Sequence, residues 1–134
     1  MTEHYEVVVV GAGQAGLAIG YYLAQQGRHF AILEAADTPA AAWQERWDSL
    51  RLFTPVRYDS LPGRAFPGDP DSYPGRDDVV AYLTDYAHQF ELPVELNSRV
   101  RAVRRIDDGS GYLVDVAQGQ VPPMHWPAAA SSPA

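Results

Sequence analysis

At 134 residues the chain has room for one domain of ordinary size and not for two. Hydrophobic residues make up 46% and charged residues 20%, proportions of a soluble globular protein, and a formal charge of -7 disfavours nucleic-acid phosphates and anionic lipid heads as partners. Cysteine is absent, which excludes disulfides, thiolate catalysis and cysteine-ligated metals, so redox chemistry would have to come from a bound cofactor.

The first residues lack the basic region and long apolar stretch of a secretory signal, and no apolar run approaches the ~20 residues that span a bilayer. A cytoplasmic protein without a membrane partner is expected. Residues 5–10 (YEVVVV) form a β-branched run closed by Gly11, the pattern of a parallel strand buried on both faces. Residues 14–26, with Leu17, Ile19, Tyr21, Leu23 and Ala24, are helix-compatible, and Gly27 supplies a C-terminal stop. A second apolar run at residues 29–33 ends on Glu34. The prediction is β-α-β in about thirty residues.

Residues 35–75 are rich in proline and glycine, with one expected short helix near residues 40–47, and a loop of this length is expected to be functional or poorly ordered. Asp77 or Asp78 is expected to cap a helix whose apolar face is Val79, Val80, Leu83, Tyr86, Ala87 and Phe90. Pro93 ends it. A short strand is predicted at residues 94–96, then a hairpin pairing residues 100–106 with 112–116 across Asp107, Asp108, Gly109, Ser110 and Gly111. Beyond Gln118 the apolar pattern fails, so residues 1–118 are expected to form the folded domain and 119–134 a disordered Pro/Ala-rich tail.

The segment Gly11-Ala12-Gly13-Gln14-Ala15-Gly16 matches GxGxxG. Gly11 permits the tight turn, Gly13 lets backbone approach a pyrophosphate, and Gly16 lets the helix pack closely on the sheet, while the helix N-terminus offers unpaired N–H groups to phosphate. A bare GxGxxG also describes a tight strand-to-helix turn without a ligand. Its place between a strand and a helix, with Glu34 roughly 20 residues further on, points to a dinucleotide whose ribose hydroxyls Glu34 accepts. A carboxylate there repels the 2′-phosphate of NADP, leaving FAD or NAD. His4, His29, His88 and His125 show no metal-ligand spacing, and no metal site is expected.

Four stretches, VVVVGAGQAGLAIGYYLAQQG with Glu34 following, AAWQERWDSLRLFTPVRYDSLPG, FPGDPDSYPGRDDVVAYLTDYAHQFELPVEL and SRVRAVRR, resemble the flavin-containing monooxygenases in order and spacing. The branch is that of bacterial flavoproteins related to plant indole-pyruvate monooxygenases and Baeyer–Villiger enzymes. The resemblance implies an α/β fold, an incomplete Rossmann-like FAD-binding domain. It implies FAD, with Gly11, Gly13, Gln14, Ala15 and Gly16 around the pyrophosphate, Glu34 on the ribose, Trp43 by the phosphate and ribitol, Thr54 toward the flavin ring, and the Val100 backbone at the adenine. Trp43 and Trp47, four apart, also read as core anchors of a short helix, Trp47 more so than Trp43, and Arg46, Arg51 and Arg57 read as surface or loop-pinning charges and not as flavin ligands.

The family uses NADPH as co-substrate, bound at a second glycine-rich turn, and has a further strand ending in Thr-Gly that returns to the FAD site; neither pattern is found in these 134 residues. The expected function is therefore a FAD-binding, monooxygenase-like oxidoreductase, an N-terminal segment without assigned catalytic residues and not catalytically complete alone. The alternatives are a non-catalytic dinucleotide-binding module for FAD, NAD or ADP, half of a split flavoenzyme with a separately encoded C-terminal half, and a non-functional gene fragment.

Overall fold

Strand β1 (Val7–Val10) runs parallel to β2 (Phe30–Leu33), with Val7 opposite Phe30 and Val10 opposite Leu33. The computed structural model describes residues 3–47, 49–118, 121–128 and 131–133, the last two stretches and Gln118 as backbone alone. Side chains alternate across a strand, so Val9, Phe30 and Ile32 enter one core while Val8, Ala31 and Leu33 enter a second on the opposite face. Burial on both faces is what makes the valine run continuous instead of alternating.

Helix α1 (Gln14–Gln25) connects the two strands and buries Gly16, Leu17 and Gly20. A Cβ at Gly20 would lie 2.8 Å from Ile32 Cδ1, so helix and sheet approach closely enough there that any side chain would have to displace the tip of Ile32. Strand β3 (Val94–Glu95) adds to β2 on one side. The parallel sheet has the order β3-β2-β1-β7, where β7 is Ser131–Pro133.

Helix α2 (Ala41–Gln44), a 3-10 turn (Val56–Tyr58) and α3 (Arg76–Gln89) belong to the layer that covers one face of this sheet. Helix α3 buries Val79, Tyr82, Leu83, Tyr86 and Ala87, and its two buried tyrosines pin the proline-rich segment. Tyr82 Oη accepts from the Leu61 N–H at 2.8 Å and donates to the Arg64 carbonyl at 2.6 Å, and Tyr86 Oη donates to the Pro62 carbonyl at 2.5 Å. These bonds satisfy polar groups that burial would otherwise penalise, and they order the long loop.

The opposite face of the parallel sheet packs on an antiparallel sheet of β4 (Ser98–Arg105), β5 (Tyr112–Gln118) and β6 (Val121–Ala128), through Val114 and Val116. The result is helices, parallel sheet and antiparallel sheet in three layers. The hairpin register matches the expectation, Arg105 standing opposite Tyr112, with an irregularity between Val100 and Ala102.

Four details differ from the sequence reading. The helix near residue 40 is one turn long, beginning after Ala40 in the left-handed region at φ 61°, and Trp47 beyond it is exposed and not a core anchor. Gly75, not an aspartate, is the N-cap residue of helix α3, and Asp78, inside the first turn, accepts from the Gly75 N–H at 2.9 Å. In the stretch expected to be a disordered tail, β6 pairs with β5 and β7 lies parallel to β1. Both are edge strands, where a proline that cannot donate is tolerated, so the composition does not prevent pairing. Among the described residues, no helix is long and apolar enough to cross a membrane.

Candidate functional site

The glycine turn sits at the carboxyl end of β1, where β-strand geometry hands over to α1. Gly11 takes φ 97°, a region that side chains rarely adopt, and its N–H donates to the Leu33 carbonyl at 2.8 Å. Gly13 caps α1 with φ -85° and ψ -168°, conformations open to any residue. Its glycine identity is therefore not explained by backbone strain. A Cβ at Gly13 meets nothing within 4 Å, so the space in front of the helix is open.

No side chain caps α1 and no acidic residue occupies its first turn. Its leading N–H groups and the positive end of its dipole consequently face that space without a competing carboxylate. Gln14 and Ala15 are exposed at the same end, and Gly16 is buried toward the sheet. The arrangement suits an anionic phosphate close to backbone.

Glu34, half-buried at the end of β2, is aimed back at this turn. Its Oε1 accepts from the Ala12 N–H at 2.8 Å and its Oε2 from the Ala36 N–H at 3.0 Å. Each carboxylate oxygen has two lone pairs, so both oxygens keep one for a ligand hydroxyl. The backbone around it is closed as well: Glu34 N–H donates to the Glu95 carbonyl, Ser98 N–H to the Glu34 carbonyl, and Ala40 N–H to the Ala12 carbonyl. Val100 lies in β4 two positions beyond Ser98, half-buried against the second core and paired with Val116.

Trp43 packs partly against the first core while its Nε1 donates to Gln14 Oε1 at 3.1 Å, so it serves both as an anchor and as a wall of the site. Arg46 stacks over the Trp43 ring at 5.5 Å. Gln14 and Trp43 also line a cavity of about 260 Å³ together with Leu52, Asp59, Phe66 and Tyr82. That volume lies below the usual ~300–1,000 Å³ of small-molecule sites, enough for part of a dinucleotide and not for all of it.

Thr54 is exposed on the loop beside this cavity, and its hydroxyl donates to Asp59 Oδ1. Asp59 Oδ2 is buried without a hydrogen-bond partner among the described residues. Burial pushes the Tyr82 hydroxyl above its ordinary pKa, opposed by the Leu61 N–H. The structure thus brings Gly11, Gly13, Gln14, Ala15, Gly16, Glu34 and Trp43 to one end of the sheet, and leaves Val100 in β4 and Thr54 exposed beside the cavity. Asp59 and Tyr82 escaped sequence reasoning. Tyr82 was within reach, since it falls three residues after Val79 on the same helical face.

A profile of the pyridine nucleotide-disulphide oxidoreductase family matches residues 8–122. An oxidoreductase of Geobacillus kaustophilus described as CzcO-like is 48% identical over 108 residues, covering 81% of this chain and 31% of its own. The indole-3-pyruvate monooxygenase YUCCA6 of Arabidopsis thaliana is 38% identical over 96 residues, 71% of this chain and 23% of its own. Among solved structures, a flavin-containing monooxygenase from Stenotrophomonas maltophilia superposes with a TM-score of 0.89 at 37% identity, over 99% of this chain and 38% of that one. The chain spans 31% of the Geobacillus kaustophilus relative, 23% of the Arabidopsis thaliana one and 38% of the Stenotrophomonas maltophilia structure, well under half of each.

Proposed function

From the premise that the chain belongs to the pyridine nucleotide-disulphide oxidoreductase family, in its flavin-containing monooxygenase-like branch, we propose that it is a cytoplasmic flavoprotein unit that holds FAD at the glycine turn. The observation that carries this is the open space at Gly13 in front of an uncapped helix, with Glu34 held ready by two backbone N–H groups.

In this reading the N–H groups at the start of α1, around Gly11, Gly13, Gln14, Ala15 and Gly16, receive the pyrophosphate. Glu34 accepts the ribose hydroxyls through its two remaining lone pairs, and the adenine lies along the backbone at Val100. Trp43, fixed by its bond to Gln14, walls the phosphate and ribitol region, and Thr54 meets the ring end. FAD supplies the redox chemistry when bound, and this chain's residues bind it, orient it and keep water from its phosphates.

NADPH is the co-substrate of this reading, but Glu34 disfavours its 2′-phosphate at the glycine turn, and residues 1–134 carry no second glycine fingerprint. Hydride delivery therefore falls to further polypeptide, such as a separately encoded C-terminal half, and the chain by itself binds without turning over. Titration of the purified chain with FAD, NAD, NADP and ADP, followed by flavin fluorescence and calorimetry, tests the proposal. FAD is expected to bind more tightly than NAD and NADP not at all. Equal affinity for FAD and NAD would refute the flavin assignment, and binding of none would make the chain a non-functional fragment.

A further inference from the structure

Apart from the glycine turn, the molecule carries an aromatic face that its own fold leaves uncovered. Phe53 is 99% exposed and Trp47 61%, and with Leu50, Arg51 and Leu52 they bound a hollow of about 300 Å³. Single exposed apolar residues need no explanation, but several around one concavity mark an interaction surface. We propose that this hollow is the docking face for the polypeptide that, in the relatives, completes the fold beyond the segment matched here. The inference rests on the family reading above.

Three observations carry it. The first is rigidity: Leu52 N–H donates to the Pro74 carbonyl at 3.0 Å and Arg51 Nη1 to the Tyr73 carbonyl at 2.9 Å, with a bridge between Arg51 and Gly75. Exposed side chains on a fixed backbone are pre-organised for a partner, which lowers the entropy lost on docking. The second is position. Trp43 and Leu52 line both this hollow and the cavity beside Gln14, so the two concavities adjoin across a shared wall.

The third concerns the occupant. This chain accounts for 38% of the Stenotrophomonas maltophilia enzyme at a TM-score of 0.89, so the larger part of that fold has no counterpart in these 134 residues and must pack on a unit of this shape. Arg46 and Arg51 stand exposed at the hollow in a chain of net charge -7, so the matching surface is apolar with carboxylates placed to meet two guanidiniums.

The test uses the whole 134-residue chain. The probe is the part of the Stenotrophomonas maltophilia flavin-containing monooxygenase outside the matched segment, purified as a separate polypeptide, with association read by biolayer interferometry. One-to-one binding is expected, weakened at least tenfold by Phe53→Glu and by Trp47→Glu, and unchanged by Tyr112→Glu, an exposed aromatic on the β4–β5 hairpin. Phe53 is so exposed that its replacement leaves the fold intact, which a thermal melt verifies; Phe53→Ser serves if it does not. No association, or association indifferent to both hollow variants, overturns the proposal. FAD retention is measured alongside. In the unsubstituted chain, FAD binding without docking sinks this inference alone, and docking without FAD binding sinks the cofactor reading alone.

Discussion

Gly13→Ala separates the two reasons a glycine can stand in a strand-to-helix turn. At φ -85° and ψ -168° alanine fits the backbone, and its methyl meets nothing within 4 Å. Replacing glycine at a compatible position restricts the unfolded chain, a gain of about 0.4–1 kcal/mol, while alanine is a poorer helix cap than glycine by several tenths of a kcal/mol or more. The two nearly cancel, so the melting temperature without ligand should stay within about 4 °C of the parent. If FAD binds as proposed, the methyl fills the space its pyrophosphate would take, and FAD affinity should fall at least about tenfold, ~1.4 kcal/mol. Gly20→Ala is the contrasting variant: it lies inside α1, where alanine gains about 1 kcal/mol of helix propensity over glycine, while its Cβ, 2.8 Å from Ile32 Cδ1, makes the tip of that side chain shift, so stability should stay within about 1 kcal/mol of the parent and FAD affinity should not change. Calorimetric titration and thermal melts on both proteins give the four numbers. Unchanged FAD affinity in Gly13→Ala would refute the reasoning and reduce the turn to a structural element.

Glu34→Ala strands the Ala12 and Ala36 N–H groups, so urea unfolding without any ligand should show a loss of about 1.5–3 kcal/mol; no loss would mean that the carboxylate serves the ligand alone. Burial, with the Glu3 carboxylate near, holds the Glu95 carboxyl above the usual range. The folded state then binds the extra proton, so this contribution is present below the ordinary glutamate pKa and is lost as pH rises through the folded value. Glu95→Gln should accordingly gain in melting temperature on the parent between about pH 4 and 7, and a parent that gains on the variant contradicts the assignment. Truncation after Gln118 removes β6 and β7 and opens one edge of each sheet, so the melting temperature should drop by about 4 °C or more; an unchanged value restores the structureless tail.

What the sequence determined by itself is whatever depends on neighbours in the chain. Four consecutive valines closed by glycine can hardly be other than a strand buried on both faces, and the turn after it must contain glycine where φ is positive, as at Gly11. The apolar spacing from Val79 to Ala87 marks a helix, and the Asp108-Gly109 turn marks a hairpin, because both signals lie within a few residues of the structure they produce. Glu34 was legible for the same reason, its distance from the glycines being set by one β-α-β unit. Tertiary structure alone decided what depends on distant partners. The Glu34 carboxylate bonds to Ala12 across the sheet end, two tyrosine hydroxyls of α3 hold the proline-rich loop, and Trp43 reaches Gln14. The exposure of Trp47 was equally hidden, since four-residue spacing places two tryptophans on one face only if the helix lasts that long, and α2 ends at Gln44. The edge pairing of β6 and β7 was invisible because proline depresses strand propensity locally, whereas an edge position removes the need for the N–H that proline lacks.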